Sequence, residues 1–111
     1  MIHKMKLNDA PFRSIKARTK TIEMRLCDEK RQLIKSGDII EFSHRETGEK
    51  LLTRVCNLIK FKNFSELYAS FDKVSLGYLE NQDAAPRDMC QHYQCQDIEK
   101  YGVLAIEIEL L

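Results

Sequence analysis

Apolar and polar residues alternate strictly from Thr21 to Leu26, which is the period of a strand with one face in a core. Ile22, Met24 and Leu26 are expected to face inward, and Thr21, Glu23 and Arg25 outward, with Lys20 at the strand entrance. Upstream, Met5 and Leu7 alternate with Lys4 and Lys6 over His3 to Leu7, a first short strand. Asn8 or Asp9 then caps a helix that has Pro11 in its first turn and Phe12 and Ile15 as its apolar stripe. That helix ends near Ala17–Thr19 with no glycine, so a polar residue must take the chain-reversing position.

Past the central strand, residues 27–32 read as a charged turn or one helical turn, and Ser36-Gly37-Asp38 as a tight turn. Ile39 to Ser43 is a strand, Thr47-Gly48 a hairpin tip, and Leu51 to Phe61 a long strand whose core face is inconsistent unless a bulge intervenes. Asn63 or Ser65 caps a helix bearing Phe64, Leu67, Tyr68 and Phe71. Val74 to Leu79 is a connector containing Gly77, and Pro86 opens a helix bearing Met89, His92 and Tyr93. A last helical turn starts at Cys95 or Asp97 and stops at Gly102, and Val103 to Leu111 is a C-terminal strand that alternates Val103, Ala105 and, shifted, Ile106, Ile108 and Leu110 against an acidic face of Glu107 and Glu109. Strands and helices without a βαβ rhythm define an α+β fold, closed most economically as a small barrel of about five strands with short helices over its openings.

The chain has 111 residues, the size of one domain spanning residues 1–111. No apolar run reaches membrane-spanning length, and the N-terminus lacks the apolar run of a signal peptide, so a cytoplasmic protein is expected. Net charge is only +1, which argues against a broadly basic nucleic-acid binder. Its distribution changes the picture. Residues 1–35 hold ten Lys/Arg against four acids, and residues 36–111 eight against thirteen, an asymmetry that suits a basic face meeting an anion. Four cysteines, Cys27, Cys56, Cys90 and Cys95, are read as structural thiols, Cys56 as a small buried hydrophobe. Cys90, His92 and Cys95 lack metal-ligand spacing, so no metal and no cofactor is expected.

Met5-Lys6-Leu7, Pro11-Phe12, Ile15-Lys16, Lys20-Thr21-Ile22-Glu23-Met24-Arg25-Leu26, Gly37-Asp38-Ile39-Ile40-Glu41-Phe42 and Lys100-Tyr101-Gly102-Val103 together resemble the ASCH domain over residues 3–110, in a small stand-alone, bacterial-type form. The resemblance implies a PUA-like β-barrel and an RNA-binding role. It also implies an alternative, since a bacterial branch of the family hydrolyses N4-acetylcytidine. Two positions depart from the family pattern. Arg18 stands where relatives commonly have glycine, and Glu23 occupies the position of the hydrolase threonine, three residues after Lys20. A carboxylate there cannot act as a hydroxyl nucleophile.

Three functions follow as expectations. The first is a module for RNA, a nucleotide or a nucleoside, with the anionic ligand held by Lys20, Thr21, Glu23 and Arg25 and the path extended by Lys6, Arg18 and Arg31. Glu23 would fix Arg25 or accept an exocyclic amine, and Phe42, Phe61, Tyr68 or Tyr101 would stack a base. The second is an amidohydrolase on a small acylated nucleoside, with Lys20 as base and Glu23 or a downstream acid, Glu66 or Glu80, relaying protons. The third is a structural or partner-binding domain whose Lys-Glu-Arg set is an internal network.

Overall fold

A computed structural model describes all residues, Met1–Leu111. Five strands form one sheet: β1 (Ile2–Leu7), β2 (Ile22–Leu26), β3 (Ile39–His44), β4 (Lys50–Phe61) and β5 (Val103–Leu110), in the order β1-β3-β4-β5-β2. β1 runs parallel to β3, and every other neighbouring pair is antiparallel. The sheet is curled into a half-barrel, so the edge strands β1 and β2 approach one another, and the Arg25 guanidinium on β2 donates to the Lys6 carbonyl on β1 at 3.2 Å. Three helices accompany it: α1 (Asp9–Lys16), α2 (Phe64–Ser70) and α3 (Cys95–Tyr101). Single 3-10 turns cover Arg31–Leu33 and Pro86–Gln91.

Both faces of the sheet are buried, which explains the least regular stretches of the sequence pattern. One face gathers Met5, Leu7, Ile40, Phe42, Val55, Leu104, Ile106 and Ile108 under Phe12 and Ile15 of α1. The other gathers Ile22, Met24, Val103 and Ala105 against Phe64 and Leu67 of α2 and Leu76. β5 therefore needs no register shift to bury Val103 and Ala105 on one side and Ile106 and Ile108 on the other. In β4 the expected bulge falls between Val55 and Asn57. Thr53 and Val55 point inward before it and Leu58 packs on the same cluster after it. Cys56 is the extra residue and stands exposed, because a bulged residue leaves the ladder; it is not the buried hydrophobe expected.

Helix ends follow local chemistry. The Asn63 side chain accepts from the Glu66 N–H at 2.9 Å and caps α2. Asn8 occupies the cap position of α1 without a side-chain bond, and Asp9 instead accepts from Arg13 and pairs with His44. The chain reverses after α1 through Arg18, which has φ 67° and is the only non-glycine residue with positive φ. Its Nη1 donates to the Leu110 carbonyl at 3.2 Å, tying the strained turn to the end of β5. The helix expected after Pro86 is the 3-10 turn, and His92 and Tyr93 lie beyond it. No helix is long and apolar enough to cross a membrane.

Candidate ligand-binding cavity

The register of β2 against β5 sets the site. Glu23 lies opposite Ile106 and Arg25 opposite Leu104, so both share the face that carries the α1 core. The side expected to be solvated is thus enclosed: Glu23 and Lys20 are only 4% and 5% exposed. Ile22 and Met24 do enter a core, the one under α2.

Lys20, Glu23 and Arg25 form one connected trio. Lys20 Nζ lies 3.4 Å from Glu23 Oε1, and the Arg25 guanidinium lies 2.8 Å from Glu23 Oε2. Each cation also reaches a carbonyl on a different side. Lys20 Nζ donates to Leu76 at 2.9 Å, in the connector after α2, whereas Arg25 donates to Lys6 on β1. Gly77 has φ 109°, and a Cβ there would stand 3.0 Å from Lys20 Cδ, so the connector can lie on the lysine stem only with glycine at that position. Burial pulls the Lys20 ammonium below an ordinary lysine pKa, and Glu23 opposes that pull. Burial alone would raise the Glu23 carboxyl, but the charges of Lys20 and Arg25 outweigh it and hold the group below its usual range. Glu23 is therefore an ionised acceptor whose two oxygens are already engaged.

Above the trio opens a cavity of about 500 Å³. Lys6 and Arg45 line one wall, held together by the Arg45 N–H donating to the Leu7 carbonyl at 3.0 Å, and Arg31 of the first 3-10 turn also lines it. Tyr68 of α2, Tyr78 of the connector, and Asp88, Met89, His92 and Tyr93 from the second 3-10 turn and its end complete the lining. The lining holds five Lys or Arg side chains against two acids, Glu23 and Asp88. Lys6, Arg31 and Arg45 make no ion pair, and Arg31 Nε is buried without a hydrogen-bond partner. Also on the lining, the Tyr78 hydroxyl donates to Asp88 Oδ2 at 2.7 Å and lies 2.7 Å from the Tyr68 hydroxyl. A hydroxyl has one proton, so Tyr68 donates to Tyr78 and the chain runs Tyr68 to Tyr78 to Asp88. Burial and the neighbouring acceptor raise the Tyr78 pKa, so its proton stays on.

Of the residues singled out in the sequence, Lys6, Lys20, Glu23, Arg25 and Arg31 meet at this cavity. Arg18 and Thr21 instead line a shallow depression of about 140 Å³ on the far side of Lys20. Among the aromatics, Tyr68 lines the cavity. Phe42 is fully buried, Phe61 packs edge-on against Phe71, and Tyr101 donates to Glu29, all away from it. Glu66 and Glu80 are exposed and outside the lining; the acid that the fold does bring there is Asp88. Arg45, Tyr78 and Asp88 carried no functional expectation in the sequence, because they sit in turns and irregular segments with no hydrophobic period to mark their direction, and Tyr93 was placed only on the helix expected after Pro86.

A curled five-stranded α+β half-barrel with a cation-lined cavity between its sheet and its helical cap is a PUA-like architecture. The chain belongs to the ASCH domain family, whose model matches residues 5–111. ASCH domains are PUA-like modules proposed to bind RNA. Two solved structures share the fold over the full chain. The crystal structure of the hypothetical protein PH0355 is 35% identical, with 100% of both chains covered and a TM-score of 0.80. The solution structure of protein PF0455 from Pyrococcus furiosus is 36% identical, covering 100% of this chain and 98% of that one, with a TM-score of 0.74. A comparison with curated proteins found no match.

Proposed function

We propose that the protein binds RNA or a nucleotide in this cavity, with a phosphate held by Lys6, Arg31 and Arg45. The observation that carries the reading is the wall of three cations without ion-pair partners, one of which, Arg31, has a buried N–H donor unmatched within the chain. Such a donor costs free energy unless something accepts from it, and a phosphate oxygen is the acceptor that arginine forks fit best. Arg25, whose Nη1 makes no bond within the chain, adds a further donor at the cavity floor. Lys20 and Glu23 hold that floor together. Arg18 and Thr21, on the other side of Lys20, contribute no direct contact in this reading.

The test is fluorescence anisotropy with short single-stranded RNA and DNA at several salt concentrations. Three phosphate contacts predict a slope of log K against log salt of about −2 for single strands. Arg31→Ala and Arg45→Ala, neither of which touches the buried trio, should each weaken binding and flatten that slope by about 0.7. Salt-independent binding, or full affinity in both variants, would remove the phosphate site.

The buried lysine supports a second reading, an amidohydrolase on a small acylated nucleoside such as N4-acetylcytidine. Its lowered pKa brings a lysine base closer to neutrality, and the cavity has room for a nucleoside. Against it, Lys20 is tied to an ionised Glu23 where the family's hydrolases carry a hydroxyl. Chromatography of N4-acetylcytidine incubated with the protein decides: cytidine release abolished by Lys20→Met would establish the enzyme.

A further inference from the structure

The cavity lining is chemically mixed, and besides its five cations it carries a second carboxylate with a reader's chemistry of its own. Glu23, read from the motif as an acceptor for an exocyclic amine, is buried and already engaged at both oxygens by Lys20 and Arg25. Asp88 is the other carboxylate on the lining. Tyr78 donates to its Oδ2, while Oδ1 makes no hydrogen bond and no cation pairs with it. The Tyr68–Tyr78 chain fixes the carboxylate's orientation, since both hydroxyls point their protons toward it. An ionised carboxylate accepts hydrogen bonds and donates none. Resting on the phosphate reading above, we propose that Asp88 makes the pocket selective for a nucleotide whose base carries an exocyclic amine, and that it disfavours uracil.

The chemistry separates the bases. Cytosine, adenine and guanine each present an amino group, and a carboxylate accepting from cytosine N4 is a standard pairing. Uracil has carbonyl oxygens at the corresponding edge positions, which a carboxylate repels, leaving only its N3–H flanked by them. Tyr93, half-buried and on the same lining, stacks one ring face on Phe64 with centroids 6.0 Å apart, so a base held at that edge would lie on its other face. Tyr78 and Tyr68 are then positioning residues for Asp88.

Isothermal titration with CMP, AMP, GMP and UMP tests this. The wild type should bind the three amino-bearing nucleotides about ten-fold or more tightly than UMP, the discrimination expected of one good base-edge contact. Asp88→Asn offers the base an amide in place of the carboxylate and should compress the gap to within about three-fold, whereas Arg31→Ala should weaken all four alike. If Asp88→Asn does not fold, the wild-type ranking stands as the test by itself. Equal affinity for all four, or a preference that survives Asp88→Asn, overturns the base reader and leaves the phosphate site intact. RNA binding without binding of any monophosphate also overturns it, and the absence of both overturns the two readings together.

Discussion

At the scale of single residues, Glu23 decides how the site can be used. It is the shared counter-ion of two cations in an enclosed position, so its removal leaves Lys20 and Arg25 facing each other without compensation. Glu23→Gln should destabilise the fold by about 3 kcal/mol or more in urea denaturation, and Lys20→Met in the same background should recover part of that loss, because breaking a buried pair costs more than deleting it. A neutral result for Glu23→Gln would mean that the trio contributes no net stability. Arg18 makes a second test. It holds a left-handed conformation at about 1 kcal/mol or more of strain, so Arg18→Gly should stabilise by a few tenths to about 1 kcal/mol despite glycine's freer unfolded chain, while Arg18→Ala should not. The sequence required a polar residue near Ala17–Thr19 to reverse the chain after α1, and the family resemblance put Arg18 where relatives commonly have glycine. It could not reveal that the guanidinium turns away from the cavity to the Leu110 carbonyl.

At the scale of elements, the site depends on pieces that carry no chemistry. α2 has seven residues, too short to persist without tertiary support, and its Asn63 cap helps hold Tyr68 against the cavity. Asn63→Ala should cost about 1 kcal/mol, read as a lower denaturation midpoint with an unchanged slope. The connector is more sensitive. Gly77→Ala places a Cβ against Lys20 at a backbone angle alanine resists, and should cost about 1–3 kcal/mol. It should also weaken ligand binding, since the lysine stem must shift. The strands, α1, α2 and α3 were legible in the periodicities, and so was the bulge in β4, but the segment after Pro86 formed a 3-10 turn instead of the expected helix. The second buried face of the sheet was not legible. A strand covered on both sides loses the alternation by which faces are recognised, which is why β5 looked shifted and β2 looked half-solvated.

At the scale of the whole molecule, Arg25 spans the gap between the two sheet edges. β1 is hydrogen-bonded along one side only, to β3, and the Arg25 bond to Lys6 is its link to β2. Arg25→Ala should therefore raise amide hydrogen exchange in β1 by roughly ten-fold, as expected for loss of a charge-assisted bond, with little change in the β4–β5 centre. Uniform acceleration would instead mean global destabilisation. Acid stability is also a property of the whole. The Asp38 carboxyl, fixed by His3, the Lys35 N–H and the N-terminal ammonium, is held at about 2, and Glu23 is likewise depressed. A depressed carboxylate contributes stability that is present above its unfolded pKa and lost as pH falls toward its folded one. Stability should thus be level near neutrality and decline from about pH 4.5 downward. The decline should be shallower in Asp38→Asn, measured by urea midpoints across that range.

The sequence alone determined the α+β class, the five strands, the turn glycines, the family, and which cations and acid of β2 would lie two residues apart, because all of these follow from local period, local backbone sterics and motif spacing. Only the tertiary structure decided which face of β2 was enclosed. It also decided that Glu23 would be shared by two cations, that Arg18 and Thr21 would fall outside the cavity, and that Tyr78 from the connector and Asp88 from the second 3-10 turn would complete it. Those outcomes depend on how a sheet curls and on what packs across it. Contacts between residues more than 50 positions apart, such as Lys20 with Leu76, leave no trace in any local pattern.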